Sequence, residues 1–179
     1  MVKTFRIFIF LFFVSFFSGC GYTQKTLLPE HLKTIYVKPV KNDINLSNEI
    51  SDKTPFRVYR PGVEVEVHNA IINRFIFDGN LRVTDEVKAD AVVDAFLVDY
   101  RRDPVRYSDG DDVQEYRLSV SVKVTVTDVR SGKALWQDSL TGDTTFFLQG
   151  SRSVTEDEAT QKAVDDLARR VVDKTIEVW

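Results

Sequence analysis

This chain of 179 residues is poor in the side chains that usually carry chemistry. It has one cysteine, Cys20, and two histidines, His31 and His68. A single thiol closes no disulfide within the chain, and two imidazoles do not complete a Cys/His zinc set. No Gly-x-Ser-x-Gly stretch occurs, which removes the usual nucleophile elbow. Ser131-Gly132-Lys133 is not a phosphate loop, because Ala134 stands where a hydroxyl residue is required and no glycine lies five residues before Gly132. There is no excess of basic residues either. The 24 Lys plus Arg face 27 Asp plus Glu, a balance that argues against a nucleic-acid binder. No apolar run reaches the roughly 20 residues of a permanent membrane helix, and no internal repeat or low-complexity tract marks a second domain. The expectation is a protein that is not an enzyme and needs no cofactor or metal.

What is present begins at the amino terminus. Lys3 and Arg6 precede an apolar core, Ile7 to Phe17, broken only by Ser15, and Ser18-Gly19 supplies the small residues a signal peptidase requires. The small-small-Cys junction resembles the lipobox of bacterial lipoproteins, in which the thiol is diacylated, the preceding bond is cut and the new amino terminus is acylated. Phe17 stands where such junctions commonly have Leu. One acyl chain holds a protein only marginally on a membrane, and two or more hold it stably. The boundaries expected are a signal peptide over 1–19, a lipidated tether over 20–32 beginning at Cys20, and a single domain over 33–179. Without residues 1–19 the chain keeps 160 residues and its formal charge moves from −3 to −5. That length suffices for one domain with a real core.

The mature chain alternates apolar patterns with turn signals. Lys33 to Val40 is β-branched and aromatic and reads as a strand toward a sheet edge, since Pro39 is near its end. Lys41 to Arg60 is polar without a period and reads as a long loop. Pro61 opens a helix with Val63, Val67, Ala70, Ile71 and Phe75 on one face and Asp78-Gly79 at its stop. Leu81 to Thr84 is a short extended piece. Ala89 to Tyr100 is a longer strand, with Ala91, Val93, Ala95 and Leu97 on one face and Val92, Phe96, Val98 and Tyr100 on the other. A strand apolar on both faces is expected under helices on both sides, or against a partner protein on one. Leu118, Val120, Val122, Val124 and Val126 alternate with polar residues, a half-buried strand. The turn Asp128 to Lys133 leads into a returning strand, Ala134 to Leu148. Thr155 and Glu158 fit a capping box for a last helix whose apolar face runs from Ala163 to Ile176. The expected fold is α+β: a two-layer sandwich of one mixed four-stranded sheet in β-α-β-β-β-α order, covered by two helices. Asp109-Gly110-Asp111-Asp112 lacks the twelve-residue calcium pattern with its terminal Glu and reads as a solvated loop.

Several of these stretches, taken in order, resemble one family. Gly19-Cys20-Gly21-Tyr22, Leu28-Pro29, Lys33-Thr34-Ile35-Tyr36-Val37 and Pro61-Gly62-Val63-Glu64 are similar to the first half of the LPS-assembly lipoproteins, the LptE family. Glu115-Tyr116-Arg117-Leu118, Thr127-Asp128 and Gly132-Lys133-Ala134-Leu135-Trp136 are similar to its hairpin. The resemblance implies an outer-membrane lipoprotein, on the periplasmic side or in a barrel lumen, that plugs and helps assemble the LptD β-barrel. It also implies assistance in delivering lipopolysaccharide to the outer leaflet. Gly21, in place of the Asp that commonly retains lipoproteins at the inner membrane, is consistent with outer-membrane sorting. Family members are thought to use basic residues near a strand-to-strand loop and near the start of the last helix. The matching regions hold Arg101, Arg102 and Arg106, and then Arg152; the pair expected to bind phosphate is Arg106 and Arg152, brought together only if both loops lie at one end of the sheet. The same arginines could instead balance Asp103 and Asp109 at the surface. Two other classes stay open, a generic envelope adaptor for another protein or peptidoglycan, and a periplasmic hydrolase with an unannounced site.

Overall fold

The computed structural model describes residues 28–44, 60–150 and 152–177. Cys20, the signal region and most of the expected long loop lie outside them. The elements in order are β1 (Thr34–Val37), β2 (Lys41–Asn42), α1 (Val63–Asp78), β3 (Arg82–Val83), a 3-10 turn (Glu86–Lys88), β4 (Ala91–Tyr107), β5 (Val113–Asp128), β6 (Ala134–Phe147) and α2 (Glu156–Glu177).

The fold class is the expected one, α+β with one mixed sheet and two helices. The sheet differs in size, with six strands instead of four. Its order is β3-β1-β4-β5-β6, with β2 pairing β4 beyond the end of β1. β1 and β2 run parallel to β4, β3 runs parallel to β1, and β4, β5 and β6 form an antiparallel meander. Of the additional strands, β3 lies within the extended piece expected over Leu81 to Thr84, whereas β2 lies in the stretch expected as loop; each is two residues, too short to leave a periodic signal.

Local chemistry sets the boundaries of the helices. α1 stops where Gly79 takes a left-handed conformation, φ 76°, and its N–H donates to the Phe75 carbonyl. α2 begins where the Thr155 hydroxyl accepts the Glu158 N–H at 3.2 Å, the first half of the expected box. The Glu158 carboxylate is engaged elsewhere, with Lys162 at 2.9 Å. Three acids in the first turn of α2 face the positive end of its dipole.

Both helices cover one face of the sheet. Val63, Val67, Ile71 and Phe75 of α1 join Ala163, Val164, Leu167 and Val171 of α2 over β1, β4 and β5 in a single core. Gly142 lets α2 lie directly on β6: a Cβ there would be 2.2 Å from the Ala163 carbonyl oxygen. The second face of β4 is not under helices. Val92 and Phe96 are half-buried there, in a shallow groove shared with Lys38, Asp94, Thr125 and Thr127. Tyr100 also departs from the simple alternation. A bulge between Leu97 and Asp99 shifts the register, so Tyr100 pairs with Val120 and points into the core, 1 % exposed.

Candidate functional site

Two bulges decide which arginines face which way. Beyond the one between Leu97 and Asp99, Arg101 and Asp103 pair with Ser119 and Arg117 on the helix-free face while Arg102 pairs with Leu118 on the helix side, and a second shift between Pro104 and Arg106 sets Arg106 opposite Glu115 on the helix-free face as well. Arg102 is consumed structurally: its guanidinium is paired with Glu156 at the start of α2 and lies 4.8 Å over the Tyr116 ring. Tyr116 in turn stacks on Phe146, centroids 5.9 Å apart. Beside them the Tyr100 hydroxyl lies 3.0 Å from the Thr160 hydroxyl and 3.3 Å from Glu156. Burial pushes that phenol above its ordinary pKa. Arg101 is held by Asp103 at 2.7 Å. These two arginines are therefore tied into the framework.

Arg106 and Arg152 sit differently. Arg106, Glu115 and Phe147 form one row across β4, β5 and β6. After Phe147 the chain turns through Gly150, φ 93°, where the Ser153 N–H and hydroxyl both bond the Gly150 carbonyl. A bridge between Phe147 and Ser153 then brings Arg152 back over the strand. The Arg106 guanidinium lies 5.7 Å from the Phe147 ring centroid and that of Arg152 lies 5.1 Å from it. The two cations are thus no more than about 11 Å apart. Arg106 shares charge with Glu115 at 3.4 Å, yet its side chain remains 59 % exposed. Arg152 is exposed and pairs with no carboxylate among the described residues.

A cavity of about 630 Å³ opens at the same end of the sheet, lined by Ser108, Asp112, Gln114, Tyr116, Phe147 and Gln149 among others; Phe147 is its link to the pair, and neither arginine lines it. Its rim is the β4–β5 turn, where the Ser108 hydroxyl accepts the N–H groups of Gly110 and Asp112, each at 3.2 Å. Asp111 takes a left-handed conformation there, φ 62°, which Asp tolerates better than most residues. Hydroxyl, amide and aromatic groups beside two guanidinium groups make a surface suited to a phosphorylated sugar. Phe147, the ring that gathers the two arginines, was not singled out from sequence. Its signal was an aromatic residue opposite Glu115 at the very end of a strand, visible only once the register is known.

The remaining polar candidates are structural. His31 Nε2 lies 3.2 Å from Asp128 Oδ2, and His68 Nδ1 lies 3.1 Å from the Lys38 carbonyl oxygen. No group of three or more metal-ligating side chains is assembled among the described residues.

Comparison with known proteins agrees on fold and family. Among solved structures, a hypothetical protein of Chlamydia trachomatis shares 16 % identity at a TM-score of 0.53, covering 82 % of this chain and 98 % of that one. A protein of Xanthomonas campestris shares 11 % at 0.56, covering 84 % and 90 %. A PelC dodecamer of Paraburkholderia phytofirmans shares 15 % at 0.50, covering 84 % and 93 %. At such identities the likeness concerns the fold alone. No protein of curated function matches the chain. The family model described as LptE, Lipopolysaccharide-assembly, matches residues 32–176, which takes in every strand and nearly all of α2, and the chain therefore belongs to the LptE lipopolysaccharide-assembly family.

Proposed function

We propose that this protein is an outer-membrane lipoprotein that plugs and helps assemble an LptD-like β-barrel, and that it handles lipopolysaccharide through Arg106 and Arg152. In this reading residues 1–19 are removed, Cys20 carries the acyl chains, residues 20–32 are the tether, and 33–179 form the working domain. The protein is not an enzyme; it binds and positions. The observation that carries the reading is the family match over residues 32–176. It is supported by the convergence of two cations on one aromatic ring beside a polar cavity.

The physical basis is charge-assisted hydrogen bonding. Each guanidinium presents a planar fork of donors to phosphate oxygens, and such bonds contribute about 1.5–3 kcal/mol each. Exposure of Arg106 places it toward the lower value. Arg106→Glu with Arg152→Glu should therefore weaken lipopolysaccharide binding by the purified protein about tenfold or more. Unchanged binding would remove the two residues from the site. The barrel companion is tested separately, by mild-detergent extraction of the outer membrane followed by identification of what stays bound. Depletion of the protein should lower the barrel's abundance; normal barrel levels would refute the assembly role.

A further inference from the structure

The first turn of α2 is where the helix layer reaches across to β4. The Glu156 carboxylate is paired with the Arg102 guanidinium through Oε2, and its Oε1 lies 3.3 Å from the Tyr100 hydroxyl. One turn further on, the Thr160 hydroxyl lies 3.0 Å from that of Tyr100 and donates to the Glu156 carbonyl at 2.8 Å. Tyr100 is in the core, so no water competes for these bonds. Arg102 in turn lies over the Tyr116 ring, which stacks on Phe146, the row before Arg106.

These contacts flank the arginine pair on both chains of approach. Arg102 stands four residues before Arg106 on β4, and Glu156 stands four residues after Arg152. The bridge between Phe147 and Ser153 fixes one side of the turn that carries Arg152, and Glu156 fixes the other. Arg152 itself has no carboxylate partner among the described residues, and its guanidinium is met by the Phe147 ring. Where it stands is therefore set by the backbone that presents it.

We infer that Glu156 is the positioning residue of the Arg106 and Arg152 site: by tying the start of α2 to Arg102 and Tyr100, it fixes where Arg152 stands relative to Arg106. The spacing of the two cations that meet phosphate follows from that tie, so the inference rests on the phosphate role proposed above. Placement and simple electrostatics act here in opposite directions. Removing the Glu156 charge takes an anion away and frees the Arg102 guanidinium, which on charge alone strengthens anion binding. Loss of placement instead leaves Arg152 to be ordered by the ligand, which weakens binding by about threefold to tenfold.

The test uses the full chain in dodecyl maltoside micelles, which carry no phosphate. Lipopolysaccharide affinity is measured for Glu156→Ala and Glu156→Gln, each below its own melting temperature, with Asp157→Asn as the matched control. Asp157 is in the same turn and pairs with Arg60 at 3.1 Å, so its variant removes the same charge without touching the tie to β4. Affinity should fall in both Glu156 variants, by the factor above in Glu156→Ala, and should hold or rise in Asp157→Asn. With Arg152→Gln already present, the Glu156 substitutions should have no further effect. A ligand-free readout accompanies these. The Arg152 Nε–H resonance, assigned by its loss in Arg152→Lys, feels the ring current of Phe147, and in the Glu156 variants it should move toward its position in Phe147→Leu. Affinity that holds or rises in either Glu156 variant, an equal fall in the Arg152→Gln background, or an unmoved resonance overturns the inference. Unchanged binding by the doubly charge-reversed Arg106→Glu, Arg152→Glu protein removes the phosphate reading, and the resonance alone then decides whether Glu156 places Arg152.

Discussion

Gly142→Ala is the most demanding test of how the two layers fit. The added Cβ would lie 2.2 Å from the Ala163 carbonyl oxygen, 2.4 Å from the Leu167 nitrogen and 2.6 Å from Leu167 Cβ. The first two atoms are the two ends of one helical hydrogen-bond position, so the new methyl lands on helix backbone, and no side-chain rotation clears it. To restore ordinary contact α2 must retreat by roughly 1 Å along its most tightly packed turn, where Ala163, Val164 and Leu167 are fully buried. Overpacking of this kind costs about 1–3 kcal/mol, and rigid backbone on the receiving side places this site near the top of that range. A loss of about 3 kcal/mol is roughly a 150-fold change in the folding equilibrium and, for a domain of this size, a fall of about 6–12 °C in Tm. Thermal unfolding followed by circular dichroism reads it. Gly110→Ala is the matched control, because the nearest atom to its new Cβ is the Ser108 hydroxyl at 3.8 Å, and it should change stability by less than about 0.5 kcal/mol. If Gly142→Ala melted with the unsubstituted protein, the close seating of α2 on β6 would be wrong.

Thr155→Ala removes the hydroxyl that accepts the Glu158 N–H and should cost about 1 kcal/mol, read from urea unfolding, with no effect on lipopolysaccharide binding. Asp90 accepts the Thr34 hydroxyl at 2.7 Å and the N–H groups of Thr34 and Lys33, and these bonds, the Thr34 hydroxyl foremost, hold its carboxyl below the ordinary value of 3.8. Its contribution is thus full above the unfolded pKa, near 3.9, and is lost as pH falls through the lower folded value. Asp90→Asn should therefore be less stable than the parent at pH 7 and converge on it in strong acid. A difference that stayed constant across that range would contradict the assignment.

Much of the fold was legible because single residues announce it. The alternation from Leu118 to Val126, the Asp128–Lys133 turn, the Gly79 stop and the Thr155 cap each reflect a local physical requirement, and each stands where the sequence placed it. What escaped depended on partners distant in sequence. The Leu97/Asp99 bulge inserts one residue without any glycine or proline to mark it, and it moved Tyr100 from the expected outer face into the core. It also sorted Arg101 onto the open face, away from Arg102, and a second shift between Pro104 and Arg106 put Arg106 there too. For the second face of β4 the sequence offered two readings, a covering helix or a partner protein, and no helix among the described residues covers it. Val92 and Phe96 are half-buried there beside Lys41, whose amino group lies 5.3 Å over the Phe96 ring. The proximity of Arg106 and Arg152 could be named only as a condition, since it required the turn at Gly150 to fold the chain back on Phe147.

The distance between the two ends of the sheet connects the proposed anchor to the proposed ligand. β4 runs from Ala91, beside the chain-entry end, to Tyr107, beside Arg106. At about 3.3 Å per residue its 17 residues span roughly 50 Å, somewhat less for the bulges and twist. A bilayer with its headgroups is about 40–45 Å thick. A protein moored at Cys20 in the periplasmic leaflet, with its strands standing near the membrane normal inside a barrel, would therefore carry the arginine pair to the level of the opposite headgroups. A shorter sheet moored in the same way would leave the pair deeper in the polar lumen, short of the level of the opposite headgroups. The core follows the meander as far as the Tyr116–Phe146 pair, one row before Arg106, and on this reading the same strands set the height at which phosphates are met. Inserting two residues into each of β4, β5 and β6 between the Tyr116–Phe146 row and the Arg106 row keeps the core and both arginines, moves the pair by about 7 Å, and should leave Tm nearly unchanged while impairing lipopolysaccharide delivery. If delivery were insensitive to that change, the height argument would fail even with Cys20 acylated and the barrel bound.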